Sequence, residues 1–398
     1  MNDRAIMHVD MDGFYAAVES LSHPEAKNRP MAVAGDPKSR HGIILAKNQL
    51  AKQAGVKTAE PIWQALSKCP GLLLLEPHHE LYDEYCEKAN AIYDRFTDRV
   101  EIAGIDESYL DVTGVPMLKG DGRELADEIR RAVRTELKVT VSVGVSFCKS
   151  FAKIGSDMNK PDGTTVITRE GFKQMLYPLP ATAMMSVGKV TDKALAEIGI
   201  RTIGQLAAVD EDVLLQKLGK QGPMLKKCAQ GLDDEQVCRT EEQADAKSVG
   251  SGVTFRRDLE TQEDVQIGLR SLSETVAHRL RAMNRKCRGV QVAIKSPDLK
   301  VIDRQVQLAK PTCLAIEIYE AALALLEKSW KIGKPIRLLS VTAINLIQEG
   351  EGEQLSLFDE GSQKREALER LLDNVKQKYG RSAVKSGAML GSDLFSDE

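Results

Sequence analysis

Two short acidic clusters, far apart in the chain, carry the residue types that could do chemistry. Asp10 and Asp12 lie in IMHVDMDGFY, and Asp106 and Glu107 in VEIAGIDESYLDVT. Ile6, His8 and Asp10 alternate with Met7, Val9 and Met11, while Ile102, Gly104 and Asp106 alternate with Ala103, Ile105 and Glu107. Both clusters are therefore predicted on β-strands, with the strand pattern resuming over residues 109–112. Carboxylates pressed against apolar neighbours are costly to ionise unless a cation compensates them. Two such strands side by side would gather Asp10, Asp106 and Glu107, a hard-oxygen set that Mg²⁺ accepts alongside substrate phosphates. A pair of such ions roughly 3.5–4 Å apart can clamp the attacking and leaving oxygens of a phosphoryl transfer. The plainer reading is a set of solvated or turn-forming residues, because a chain with 58 acidic residues contains DxD and DE pairs by chance. Spacing alone leaves both readings open.

The surrounding pattern supplies elements that could position these groups. Residues 1–12 read as a strand, with a helix beginning near Gly13, and residues 31–34 and 42–45 read as short strands before a helix over 48–54. A helix over 79–98 has apolar residues at 81, 85, 89, 92, 93 and 96, one stripe of a 3.6-residue period. The acidic strand pair at 100–113, a helix over 121–137 and a strand over 139–145 follow. This strand–helix–strand–strand–helix–strand order describes a ferredoxin-like α+β domain. Residues 148–160 read as a helix, ending at a turn over 159–163.

Short helices separated by glycines occupy 171–240. Two segments there, Ser186–Val190 and Gly219–Pro223, each place a glycine turn and a lysine before a helix. Backbone N–H groups at such a start can hold a DNA phosphate, which marks Gly188, Lys189, Lys220 and Gly222; an ordinary helix hairpin has the same pattern. A polar linker over 241–247 precedes a second β-α-β-β-α-β region, 248–347.

Composition narrows the class. The chain has 398 residues, 42% apolar and 28% charged, enough for about two to four domains. No apolar run approaches the roughly 20 residues that span a bilayer, and no secretory signal is visible, so the expectation is a cytoplasmic protein with no membrane partner. The cysteines at 69, 86, 148, 228, 238, 287 and 313 form no CxxC pair and read as reduced thiols. The net charge of −3 hides an asymmetry: residues 246–345 carry 17 Lys/Arg against 10 Asp/Glu. A basic module in an acidic chain suits a polyanion, although charge runs are usually solvated faces.

Taken together, the chain resembles the Y-family DNA polymerases, and within them the bacterial DNA polymerase IV group, from residue 4 to about 347. The resemblance is carried in order by HVDMDGFYAAVE, IDESYLDVT, KSFAKIGSDMNKPDG, SVGKV and SVGSGVTFRRDL. It implies a palm (1–12 and 76–170), small fingers (13–75), a helix-hairpin-helix thumb (171–240) and a DNA-binding little finger (248–347). It implies two Mg²⁺ ions held by Asp10, the Met11 carbonyl, Asp106 and Glu107. These ions would serve template-directed addition of deoxynucleoside triphosphates to a primer 3′-hydroxyl. Tyr15 matches the steric-gate position that excludes a 2′-hydroxyl, with helix packing as its plainer role. Phe14, itself a core candidate, joins Tyr15, Gln49, Lys52 and Lys160 as the implied nucleotide contacts. Lys160 is the one matched to the triphosphate. Arg256 and Arg257 join the two thumb turns as DNA contacts.

The fingers depart from the family pattern. A Thr, a Tyr and an Arg that commonly touch the triphosphate are here Ala46, Gln49 and Lys52, with Lys47 newly basic beside them. Lysine is a mobile point charge where arginine offers a fork, so phosphate clamping should be looser or rearranged. Ile43 and Leu45 are bulkier than the small residues that often line the nascent base pair. Fingers of this size have little surface to close on a base pair, so low fidelity and tolerance of damaged templates are expected. The tail over 348–398 contains Gln354-Leu355-Ser356-Leu357-Phe358-Asp359, which resembles the peptide by which bacterial polymerases dock into a sliding clamp; these apolar residues could instead fold back on the chain. A helix over 364–379 has no readable chemistry, and residues 391–398 are expected to be disordered. The expectation is a monomer, associated with the nucleoid during synthesis. The rivals are a catalytically weak Y-family adaptor that binds DNA and the clamp, and a nucleotide cyclase, which shares the metal logic but has no use for the remaining modules.

Overall fold

The computed structural model describes residues 4–37, 42–239, 242, 246–331, 333–349, 360–380, 383, 384, 387 and 393–395. The chain divides into two compact units, one carrying Met1–Pro37 and Gly42–Gln243, the other Ala244–Glu398. In the first, β1 (Ile6–Met11) leads through α1 (Phe14–Ser22) to β2 (Met31–Ala34), β3 (Ile44–Lys47), α2 (Gln49–Gln53), α3 (Ile62–Lys68) and β4 (Leu73–Leu75). Then come α4 (His79–Tyr93), β5 (Val100–Gly104), β6 (Glu107–Asp111), α5 (Arg123–Leu137), β7 (Val141–Ser146), α6 (Lys149–Met158) and β8 (Thr164–Ile167).

Five strands form one sheet in the order β5-β6-β1-β7-β8, with β1 antiparallel to both neighbours and β8 parallel to β7. Its first four strands have the ferredoxin-like arrangement, so the expected α+β class is what the chain adopts. All six residues of β1 are buried, as a central strand covered on both faces requires. The period of two sorts them. Met7, Val9 and Met11 join Leu110, Val141, Val143 and Val145 in a core with Tyr82, Ile92, Leu125 and Ile129 of α4 and α5. His8 and Asp10 are thereby turned to the opposite face, which α6 covers.

That cover is unusually close. A Cβ added at Gly144 of β7 would lie 1.9 Å from the Ala152 carbonyl oxygen, and one at Gly155 would lie 3.0 Å from the Gly144 Cα. Helix α6 therefore rests on the sheet backbone to backbone, and its side chains are delivered to the strand ends at short range.

A smaller sheet, β3-β2-β4, has its own apolar cluster around Ala32, Ile44 and Ile62. Helices α7 (Phe172–Leu176), α8 (Lys189–Glu197), α9 (Ile203–Ala208), α10 (Glu211–Leu218) and α11 (Gln221–Ala229) pack around Leu195, Leu206, Leu214 and Leu225.

The second unit runs β9 (Ser248–Leu259), α12 (Gln262–Ala282), β10 (Arg285–Lys295), β11 (Val301–Thr312), α13 (Ala315–Ser329), β12 (Ile336–Gln348) and α14 (Glu360–Tyr379). It matches the expected element order, but its antiparallel sheet runs β11-β10-β12-β9. Its first strand is an edge, whereas the first strand of the other sheet is central.

Helix α14 packs on this unit through its acidic face: Asp373 accepts from Arg281 Nε at 2.7 Å, Glu369 from the Ala315 N–H at 3.2 Å, and Glu366 faces Lys286 at 3.3 Å. The disorder expected over 391–398 does not hold at 393–395. Leu394 is 1% exposed in the second core, and Phe395 meets Phe255 edge-on at 5.8 Å. Burial of two large apolar side chains stabilises that return.

Candidate active site

Asp10 and Glu107 are directly opposed in the β1–β6 register, which brings the two acidic clusters together. Asp106 does not lie on a continuous strand as its alternation implied. Ile105 and Asp106 form the turn between β5 and β6, and the Met11 N–H donates to the Asp106 carbonyl at 2.9 Å. A two-residue hairpin breaks the strand without breaking the period of two, so alternation could not reveal it.

Around this pair α6 places two groups that the sequence reading gave no role, Lys153 and Ser156. The Lys153 Nζ lies 3.1 Å from Asp10 Oδ2 and also bonds Glu107. The Ser156 hydroxyl is 2.8 Å from His8 Nδ1, and His8 Nε2 is 3.5 Å from Glu107. Just beyond the helix, Lys160 Nζ donates to Asp10 Oδ1 at 2.6 Å and pairs with Asp157 at 2.9 Å. The available signal was the spacing of 153, 156 and 160, one stripe at helical period ending on the lysine already singled out.

The electrostatics follow from burial and pairing. Glu107 is held down to about 2, first by His8 and then, against the cost of burial, by Lys153. Burial pushes the Asp106 carboxyl up, and the charges of Asp10 and Glu107 push it further. Burial alone would lower Lys153 and Lys160, but their carboxylate partners outweigh it and raise both. His8 is lowered by burial, so a neutral ring is favoured.

His8, Asp10 and Glu107 can bring one ligand atom each within 4.8 Å of one another. His8 Nε2 is buried without a hydrogen-bond partner. Two carboxylates with an orphaned nitrogen are a donor set that fits a divalent cation. Asp106 lies outside that group among the described residues, although the charges of Asp10 and Glu107 still reach its carboxyl.

The remaining candidates separate clearly. Tyr15 is half-buried and stacks on Tyr82, ring centroids 3.9 Å apart at 10°, with Tyr82 donating to the buried Glu19 at 2.5 Å. Phe14 is 4% exposed, its side chain packed inside the core. Gln49 and Lys52 are exposed on α2, and Lys47 donates to the Thr58 hydroxyl at 2.8 Å. Gly188 caps α8, Lys189 is its first residue, and Lys220 caps α11. Gly222 is buried: its added Cβ would lie 2.4 Å from the Leu214 carbonyl, so its small size also lets α11 pack closely on α10. Arg257 is already neutralised, bonding both oxygens of Asp264 at 2.8 Å and Asp393 at 3.0 Å. Arg256 is exposed, and its N–H donates to the Leu394 carbonyl at 3.3 Å. Residues 354–359 lie outside the described residues.

Residues 9–157 match the impB/mucB/samB family, and residues 246–357 match the C-terminal domain of that family. The chain is 43% identical over 389 residues to a DNA polymerase IV of Acetivibrio thermocellus, covering 97% of this chain and 98% of that protein. It is 35% identical to DNA polymerase IV 1 of Bacillus subtilis, covering 99% and 98%. Among solved structures, the Y-family DNA polymerase chimera Dbh-Dpo4(243-245)-Dbh shares the fold, with a TM-score of 0.76 at 24% identity over 86% of this chain and 99% of that one. The strand register that opposes Asp10 to Glu107 is thus found in a chain that belongs to the impB/mucB/samB family of Y-family DNA polymerases, in its polymerase IV-like group.

Proposed function

We propose that this chain is a low-fidelity DNA-directed DNA polymerase that extends a primer 3′-hydroxyl across damaged template. The observation that carries the reading is the convergence of Asp10, Glu107, Lys153 and Lys160 at one end of the five-stranded sheet. Two Mg²⁺ ions held by Asp10, Asp106, Glu107 and the Met11 carbonyl would supply Lewis-acid activation of the 3′-hydroxyl and neutralise the departing pyrophosphate. Lys160 contributes a positive charge for the incoming triphosphate, with Gln49 and Lys52 on the fingers side. Tyr15, fixed by its stack on Tyr82, acts as the steric gate against a 2′-hydroxyl. Lys153 pairs with both Asp10 and Glu107 and holds the Glu107 carboxyl down.

In this reading the five-stranded sheet is the palm, the small sheet the fingers and the helices from α7 to α11 the thumb, with the second unit as little finger. Gly188, Lys189, Lys220 and Arg256 contact the DNA backbone. Residues 354–359 dock a monomer to a sliding clamp, in the cytoplasm and at the nucleoid during synthesis. Among the described residues no helix is long and apolar enough to cross a membrane. Nothing favours the adaptor. The deciding experiment is single-nucleotide primer extension with Mg²⁺, wild type against Asp106→Ala. Extension by the wild type and none by the variant supports the polymerase; no extension by either leaves the adaptor.

A further inference from the structure

Asp12 sits two residues from Asp10 and looks like one more metal ligand, but its carboxylate is occupied by the protein. Oδ1 accepts from the Ser142 hydroxyl at 2.8 Å; Oδ2 accepts from the Thr140 hydroxyl at 2.9 Å and from the Asp162 N–H at 2.7 Å. Its own N–H donates to the Thr140 carbonyl at 3.0 Å. One side chain thus ties the end of β1 to the start of β7 and to the turn that follows Lys160. The far side of that turn is clasped from α5: Arg130 Nε donates to Asp162 Oδ1 at 3.2 Å, and Arg134 pairs with the same carboxylate. The Gly163 carbonyl accepts from the Val143 N–H at 2.9 Å.

We infer that Asp12 is a positioning residue that sets the Lys160 ammonium against the triphosphate of the incoming nucleotide. The inference rests on the reading of Lys160 given above. Without the Asp12 carboxylate, the Asp162 N–H faces no acceptor on the sheet side, and the turn is held only from α5 and β7. Lys160 then keeps its charge and its Asp10 and Asp157 partners but loses a fixed backbone origin, so an interaction with a bound anion weakens while the strand register that opposes Asp10 to Glu107 is kept. Asparagine should substitute. Its amide oxygen can keep the Thr140 and Asp162 bonds, while its NH₂ donates to the Ser142 hydroxyl, which can accept.

The experiment is steady-state incorporation by the full chain, with primer-template affinity measured separately, for Asp12→Ala, Asp12→Asn, Lys160→Ala and the double variant Asp12→Ala/Lys160→Ala. D12A and K160A should each raise the nucleotide KM about tenfold, with kcat and DNA affinity within about twofold, and D12N should stay near wild type. The double variant should match K160A, because Asp12 acts through Lys160. Additive losses in the double variant overturn the inference, as does an unchanged KM for D12A beside a raised one for K160A. An unchanged KM for K160A overturns the reading of Lys160 itself, and this inference with it. Amide exchange in the protein without substrates gives a readout independent of activity: exchange at Asp162 should speed up in D12A and not in D12N. Equal protection in both variants also sinks the idea. If D12A loses cooperative melting, Asp12→Ser, whose hydroxyl is too short to reach the Asp162 N–H, takes its place with the same expected outcomes.

Discussion

Lys160 reaches Asp10 across 150 positions of chain, with its Nζ 2.6 Å from Oδ1. The contact ties a helix-end lysine to the middle of a sheet, and it depends on everything that seats α6 and the turn after it.

The seat itself can be tested at Gly144. An added methyl would meet the Ala152 carbonyl at 1.9 Å, a distance no rotamer change relieves because a Cβ is fixed by its own backbone and the carbonyl is backbone too. Gly144→Ala should lower stability by about 1–3 kcal/mol or more, and it should reduce incorporation by displacing Lys153 and Ser156 together. Thermal melting beside primer extension checks both effects; an unshifted melting temperature would show that α6 can lift off the sheet freely.

Removing a metal-site carboxylate should act on chemistry alone. Asp106→Ala and Glu107→Ala are each expected to cut incorporation about a thousandfold or more. Primer-template affinity by fluorescence anisotropy should change little, since neither residue belongs to the proposed DNA contacts. Retained incorporation in either variant would place the reaction elsewhere.

Tyr15→Ala should leave deoxynucleotide addition largely intact and raise ribonucleotide addition by roughly tenfold or more, because a wall that excludes a hydroxyl is removed. Paired incorporation assays with both sugars read the ratio. If the ratio stays put, the Tyr15–Tyr82 stack is packing only.

A pH prediction belongs to the second unit. Arg257 bonds both oxygens of Asp264 and holds that carboxyl well below the usual carboxylate range, against the opposing effect of burial. A depressed folded pKa means that the stabilisation is present above the ordinary aspartate value of about 3.9, and is lost as pH falls through the folded one. The melting temperature of the full chain should therefore drop on acidification below about pH 4. Asp264→Asn should begin lower and show a flatter decline; identical slopes in the two proteins would remove Asp264 from the account.

Some of this could be read from residues and some could not. Asp10 and Glu107 were legible because strand alternation and opposed registers share a period of two. Asp106 was misplaced because a two-residue turn preserves that period. His8 and Asp12 carry polar side chains inside otherwise apolar or acidic runs, and only pairing across the sheet reveals what each one holds. Phe14, Gly222 and Arg257 fit motifs that imply contact with a ligand, and those motifs do not show the packing or ion pairing each also has within the chain. The two β-α-β-β-α-β runs look alike in order, and nothing local says which strand becomes the edge. Leu394 follows a run of small and polar residues, so the pocket that receives it lies in sequence far from any cue.

That late return has a consequence for how the protein is made. Arg257 and Asp393, which bracket the contact, lie 136 positions apart. The ribosome therefore releases β9 long before the residues that close over it, and every strand carrying the metal-site carboxylates has emerged by then. The nucleotidyl-transfer half can fold while synthesis continues, whereas the second core is complete only once Leu394 and Phe395 arrive to join Phe255.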